Sequence, residues 1–235
     1  MTATQLTLSI SLRDDATFAN YYSLENLALT EELQSMVQGQ GEQSLILWGP
    51  AATGKTHLLQ AVCHGAEQAG RTSCYLPLAD HLFLSPEFCD DLEHMDILCI
   101  DDLHAIAGDR TWEEALFHLF NRTRALGHRL VFAANKNVAE LGIQLPDLRS
   151  RLSWGLNYHL KTLTEEEKLA ALKLRASNRG MTLPLDVAQF ILNHYSRDMG
   201  RLFAALDTLD RVSLAEHRKI TIPFVKMVLR LTARS

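Results

Sequence analysis

The sequence predicts an α/β fold: a parallel five-stranded sheet with helices on both faces, followed by a small all-helical domain. Three observations predict it. Short apolar runs alternate with segments of helical periodicity as far as residue 160, the pattern of parallel strands joined by crossover helices. After Leu160 only helical patterns remain. The stretch Gly49-Pro50-Ala51-Ala52-Thr53-Gly54-Lys55-Thr56, which fits the P-loop pattern G-x-x-x-x-G-K-[ST], stands between a strand and a helix.

Each element has a local reason. Residues 1–16 read as a tail, in which Gln5-Leu6-Thr7-Leu8-Ser9-Ile10-Ser11-Leu12 alternates polar and apolar before Arg13-Asp14-Asp15 breaks the pattern. Two readings stay open there: an edge strand of the main sheet, or an extended peptide that docks its leucines into a partner. Leu24, Leu27, Leu33, Met36 and Val37 predict a helix over 24–38. Ser44–Trp48 is a short apolar strand, and Leu58, Leu59, Val62, Cys63 and Ala66 place a helix over 55–69, closed by Gly70. A strand follows over 72–77, then a mixed segment over 79–93 that is helical in part.

The run Met95-Asp96-Ile97-Leu98-Cys99-Ile100 suits a strand buried on both faces, and it ends in Asp101-Asp102. Open α/β sheets bind ligands at the carboxyl ends of their strands. Trp112, Ala115, Leu116, Leu119 and Phe120 predict an amphipathic helix over 111–126. The strand 129–134 ends at Asn135-Lys136, a short helix covers 146–152, and a strand covers 155–160. Beyond it Thr164 and Glu167 make a capping box for a helix that runs to Gly180. Helices over 184–195 and 198–216 follow, and Thr221-Ile222-Pro223 opens a fourth. The expected boundaries are a tail over 1–16, a nucleotide-binding base over 17–161 and a helical lid over 162–235, hinged near 161–163.

Composition narrows the function. The 235 residues are 47% hydrophobic, enough for one sizeable core and a small second domain. A net charge of −5 argues against a broad nucleic-acid face. Cys63, Cys74, Cys89 and Cys99 form no C-x-x-C pair or zinc spacing, which points to reduced thiols in a cytoplasmic protein. No apolar run approaches the roughly 20 residues of a membrane span, so no membrane partner is expected.

The motifs imply a chemistry. Glycines let backbone N–H groups close around phosphate oxygens, and a helix N-terminus adds a favourable dipole. Lys55 is expected to reach the β/γ-phosphates and the Thr56 hydroxyl to hold Mg²⁺. Asp101 is expected to hold Mg²⁺ directly or through water, and Asp102 to orient or deprotonate an attacking water. Asn135 is either a contact to the γ-phosphate or its water, or a plain turn former; its place at a strand end favours the contact.

P-loop, Asp-Asp strand, strand-end Asn and helical lid together resemble an AAA+ ATPase. Finer features are similar to the ATPase module of the bacterial replication initiator DnaA. Gly54-Lys55-Thr56-His57-Leu58-Leu59 matches its Walker A, extending the candidate site from Pro50, Ala51, Ala52 and Thr53 to His57. Ile100-Asp101-Asp102 matches its Walker B. Thr17-Phe18-Ala19-Asn20-Tyr21 resembles the segment that lies against the adenine, which implies Phe18, Asn20 and Tyr21 as base contacts. Ser150-Arg151-Leu152-Ser153-Trp154-Gly155-Leu156 resembles the arginine-finger box, and Arg149 beside it is a second candidate. The chain stops after the lid, without DnaA's DNA-binding domain.

That module behind the hexapeptide Gln5–Ile10 resembles the Hda family, which promotes hydrolysis of DnaA-bound ATP. Leu145-Pro146-Asp147-Leu148 and Thr221-Ile222-Pro223-Phe224-Val225-Lys226 carry the likeness nearly to the end. The resemblance implies a regulator with weak or absent turnover of its own. It would bind ATP or, by preference, ADP, together with Mg²⁺. Gln5, Leu6, Leu8 and Ile10 would bind the β sliding clamp, Arg151 would act in trans on a DnaA-type initiator, and DNA would be met mainly through the clamp. A homo-oligomer is compatible with this. Two departures stand out. The family's lid arginine falls at Gly200 here, with Arg201 one residue later and turned about 100° on the helix. Ser9 is unusual for the hexapeptide. Two alternatives remain: a helicase- or clamp-loader-type ATPase with its own client, and a nucleotide-gated adaptor without catalysis.

Overall fold

The computed structural model describes residues 12–22, 26–79 and 84–230. They fall into two compact units. The first gathers the described residues within 1–18, 26–49 and 55–159, and the second those within 19–25, 50–54 and 160–235.

In the first unit α1 (Leu27–Val37) precedes β1 (Ser44–Trp48), α2 (Lys55–Gln68) and β2 (Ser73–Pro77). Then come β3 (Ile97–Asp101), α3 (Arg110–Ala125), β4 (Arg129–Ala134), α4 (Pro146–Leu152) and β5 (Leu156–His159). The mixed segment before β3 contains two 3-10 turns, Pro86–Cys89 and Leu92–His94. The five strands form one sheet in the order β2-β3-β4-β1-β5, and every neighbouring pair is parallel.

Both faces of the sheet are covered. Ile46, Leu98, Ile100, Leu130 and Phe132 pack with Trp112, Leu116, Leu119 and Phe120 of α3 and with Leu148 and Leu152 of α4. The residues between them, Leu45, Leu47, Cys99, Val131 and Ala133, are equally buried and point to the opposite face, where α2 lies over β2, β3 and β4. This explains why β1, β3 and β4 read as continuous apolar runs rather than as alternating ones.

The sheet's entry into β5 depends on one small residue. A Cβ at Gly155 would stand 2.2 Å from the backbone oxygen of Ser44 on β1. Any side chain there would have to push two paired strands apart.

The second unit is helical: α5 (Glu165–Asn178), α6 (Leu185–His194), α7 (Met199–Glu216) and α8 (Ile222–Val228). Its core is Leu172, Ile191, Leu202, Leu206, Leu209 and Phe224. The helix starts are those the sequence marks. Thr164 N–H donates to Glu167 Oε2 at 2.7 Å, and Glu167 N–H donates to Thr164 Oγ1 at 3.2 Å, a complete capping box. Asp198 caps α7 and Thr221 caps α8, with Pro223 in the first turn. Arg175 is a buried cation whose guanidinium pairs with Asp207 and lies 4.6 Å from the Phe203 ring centroid.

Candidate functional site

The P-loop begins where β1 ends. Trp48 pairs with Ala134 of β4, so Gly49 and Asn135 follow side by side at the sheet's carboxyl edge, and Gly49 N–H donates to Ala134 O at 3.3 Å. Asn135 is exposed there. Lys55 opens α2, and its ammonium, largely buried, donates to Gly49 O at 2.8 Å. Burial lowers its pKa, and the carboxylates of Asp101 and Asp102 oppose that shift. Thr56 follows on the first exposed turn of α2.

Residues 50–54 carry the turn. Ala52 and Gly54 are left-handed, with φ of 59° and 90°. Successive turns of this kind aim N–H groups at one point and make an anion cradle. Thr53 Oγ1 donates to Pro50 O at 3.0 Å and holds the loop's shape, while Pro50 and Ala51 are exposed. A Cβ at Gly54 would lie 2.7 Å from the Tyr21 ring, so the glycine is required for approach as well as for φ.

Asp101 ends β3 and is almost wholly buried. One oxygen accepts from the Tyr75 hydroxyl at 2.9 Å and the other from Asp102 N–H at 2.9 Å. Tyr75 sits on the neighbouring strand, one pleat back on the same face, because Pro77 is the direct partner of Asp101. Burial, and then the Asp101 charge, raise the Tyr75 pKa far above its ordinary value, so the phenol remains a donor. Asp102 turns left-handed, with φ of 54°, and starts the 3-10 turn Leu103–Ile106. Sequence reading missed Tyr75: an aromatic residue in a strand signals only core.

A second cluster lies at the end of α4. Arg151 Cζ is 4.0 Å, and Arg124 Cζ of α3 is 5.0 Å, from the Trp154 ring centroid. The indole is 56% exposed. Among the described residues neither guanidinium pairs with a carboxylate. An arginine stacked on a ring keeps its in-plane N–H groups available for an anion. Arg149, two residues earlier on α4, is exposed.

Glu113 sets where α4 begins. It is completely buried on α3, and its carboxylate accepts from Gly108 N–H at 2.8 Å, Gln144 N–H at 3.0 Å and Leu145 N–H at 2.7 Å. Leu145 is the residue before α4. Nothing in the sequence distinguishes Glu113 from the solvated glutamate beside it.

The entry segment is tied down residue by residue. Phe18 packs on Gly65 of α2, where an added Cβ would meet its ring at 3.3 Å. His57 Nε2 lies 2.8 Å from Thr17 O. Asn20 Oδ1 accepts from Asn178 Nδ2 of α5 at 2.6 Å, and the same amide donates to Ala19 O at 3.3 Å. Arg201 is exposed on the first turn of α7, with its backbone N–H donating to Asp198 Oδ1 at 2.9 Å. Gln5, Leu6, Leu8 and Ile10 lie outside the described residues.

Residues 16–159 match the bacterial DnaA ATPase domain. The chain belongs to that family. Residues 165–229 match the Hda lid domain, so the chain is an Hda-like, DnaA-related AAA+ protein. The fold agrees. Domain III of the Thermotoga maritima initiation protein DnaA aligns with a TM-score of 0.78 at 23% identity, covering 94% of this chain and 98% of that one. AMPPCP-bound DnaA from Aquifex aeolicus aligns at 0.69 and 21% identity, covering 85% and 66%. The RuvB Holliday junction branch migration motor from Thermotoga maritima aligns at 0.64 and 16% identity, covering 91% and 73%. At these identities the likeness to solved structures establishes the AAA+ fold, and the family match together with the P-loop marks a nucleotide-binding module. Among the described residues, no helix is long and apolar enough to cross a membrane.

Proposed function

We propose that this protein is a negative regulator of DNA replication initiation. In its nucleotide-bound form, and together with the sliding clamp on DNA, it stimulates hydrolysis of ATP held by a DnaA-type initiator. The observation that carries this reading is Arg151. It is a cation without a carboxylate partner among the described residues, held on an exposed indole, in a chain that pairs a DnaA-type ATPase domain with an Hda-type lid.

The nucleotide, ADP by preference, is held by the P-loop, Pro50 to Thr56. Lys55 leaves its carbonyl partner for the phosphates, Tyr21 borders the loop, and Asn20 contacts the nucleotide's base. The donor set fits Mg²⁺: a hydroxyl at Thr56 and a carboxylate at Asp101 are hard oxygen ligands. Thr56 and Asp101 would hold the ion, which would supply positive charge to offset that of the phosphates. Asp102 orients water, Asn135 meets the γ-phosphate side, and His57 fixes the entry segment through Thr17. Arg201 serves as the lid's phosphate contact in place of the arginine missing at Gly200. The tail, residues 1–16, tethers the protein to the clamp through Gln5, Leu6, Leu8 and Ile10. That tether raises the local concentration of regulator and initiator. The base extends over 17–161 and the lid over 162–235, in a cytoplasmic protein.

Tyr75 follows as a positioning residue for Asp101. Tyr75→Phe is expected to weaken Mg²⁺-nucleotide binding by about tenfold, the usual effect of losing an outer hydrogen bond to a metal ligand. Calorimetric titration with ADP, with and without Mg²⁺, checks this. The loss should appear only when Mg²⁺ is present.

The deciding experiment measures hydrolysis of DnaA-bound ATP with clamp loaded on DNA. Intact protein should stimulate it strongly, and a chain lacking residues 1–12 should not. Stimulation that survives truncation keeps the partner and removes the clamp role from the tail. No stimulation at all sinks the regulator reading. Asp101 and Asp102 at one strand end favour a second reading, an ATPase with its own client. Appreciable ATP turnover by the protein alone, increased by DNA, would select it.

A further inference from the structure

Among the described residues, no strand lies along the outer edge of β2. The sheet order begins with β2, which pairs only with β3 among the described residues. An open strand edge of this kind is a template for one more strand and a hazard for aggregation. Beside it lies a groove of about 290 Å³. It is lined by Ser73 to Leu76 of β2 together with Leu12, Cys63, Phe88 and Leu92.

Leu12 is the informative member. It is the first described residue of the chain, and it already lies in the groove. Arg13 beside it is held on α2: its N–H donates to Gln60 Oε1 at 3.2 Å and its carbonyl lies 3.0 Å from His64 Nε2. The pattern before Leu12 has the parity a strand needs. With Leu12 facing the groove, a period of two turns Ile10, Leu8 and Leu6 the same way and leaves Ser11, Ser9, Thr7 and Gln5 on the other side. Length also fits. Residues 5–11 reach about 23 Å when extended, and the five residues of β2 span about 17 Å.

We propose that residues 5–11 of this chain dock in the groove as an added strand on the β2 edge, with Ile10, Leu8 and Leu6 against its apolar lining. The occupant is the chain's own tail, because the groove is continuous with Leu12 and a tethered segment needs no external concentration to fill it. Pro77, at the carboxyl end of β2, offers no N–H and limits the added pairing to the earlier residues. The same apolar residues are those assigned above to the clamp. On that reading, docking at home and docking on the clamp exclude each other.

Hydrogen exchange in the full chain tests the docking. Amides of residues 73–76 should be protected in the natural sequence. The variant Leu6→Ser/Leu8→Ser/Ile10→Ser should speed their exchange at least tenfold. The opposite-face variant Gln5→Ala/Thr7→Ala/Ser9→Ala should leave it within twofold, and the central β4 amides should not change in either. Equal rates in all three proteins would overturn the proposal. So would acceleration spread over β2 and β4 alike, because that reports general destabilisation. A separate arm adds clamp loaded on DNA, which should speed exchange at 73–76 as the apolar variant does. If the variants behave as expected and the clamp has no effect, the docked tail stands and the clamp assignment falls.

Discussion

Arg151→Ala is expected to lower the stimulated hydrolysis of initiator-bound ATP by about a thousandfold, near the lower end of what an arginine supplied in trans contributes to phosphoryl transfer. Fold and nucleotide binding should survive. The guanidinium lies on the Trp154 ring at 4.0 Å, a contact worth about 0.5–1 kcal/mol at an exposed site. Arg151→Lys should fail nearly as badly, because an ammonium lacks the planar fork that meets phosphate and stacks on indole. Trp154→Ala should fall between, since the arginine keeps its charge and loses its rest, and Trp154→Phe should recover part of the rate. Single-turnover hydrolysis with saturating regulator separates these variants, and a thermal melt of each confirms the fold. Should Arg149→Ala carry the loss instead, with Arg151→Ala near the natural rate, the role passes to Arg149.

The largest effect on stability is expected at Glu113. Its carboxylate is wholly buried and serves the N–H groups of Gly108, Gln144 and Leu145. Glu113→Ala strands those three donors and leaves a hole beneath α4. An unsatisfied buried N–H costs about 1–3 kcal/mol, so the total loss should be about 4 kcal/mol after partial rehydration. Glu113→Gln keeps one acceptor oxygen but turns an amide N–H₂ toward backbone donors, and should cost about half as much. Urea denaturation of both variants reads this directly. Because Leu145 precedes α4, stimulation of the initiator should also weaken in Glu113→Gln under conditions where that variant remains folded. A variant as stable as the natural protein would mean that water replaces the carboxylate, and that Glu113 does not hold α4.

How far the sequence reaches depends on how local the physics is. The three central strands β1, β3 and β4 were legible because a strand buried on both faces must be apolar throughout, as Leu98, Cys99 and Ile100 are. The start of α5 was legible because Thr164 and Glu167 satisfy each other's backbone within one turn. The P-loop was legible because contiguous residues shape it: Gly54 turns left-handed, and Lys55 and Thr56 open the helix behind it. Arg149, Arg151, Asp101 and Asp102 could be named from motifs in the same way, but not their surroundings.

What joins distant parts of the chain was not legible. Tyr75 meets Asp101 only because β2 lies beside β3 in a particular register. Arg124 and Arg151 meet at Trp154 only because α3 and α4 pack on the same face of the sheet. Asn178 reaches Asn20 across most of the chain. Glu113 looks like any helix-surface glutamate until the fold buries it beneath three backbone donors. By itself the sequence determined the elements, their caps and the phosphate-binding motif, since hydrophobic period, capping and turn chemistry act over a few residues. The tertiary structure alone decided the strand order, the donor to Asp101 and the ring under Arg151. Those depend on which surfaces come together when the sheet closes, and short-range pattern does not encode that.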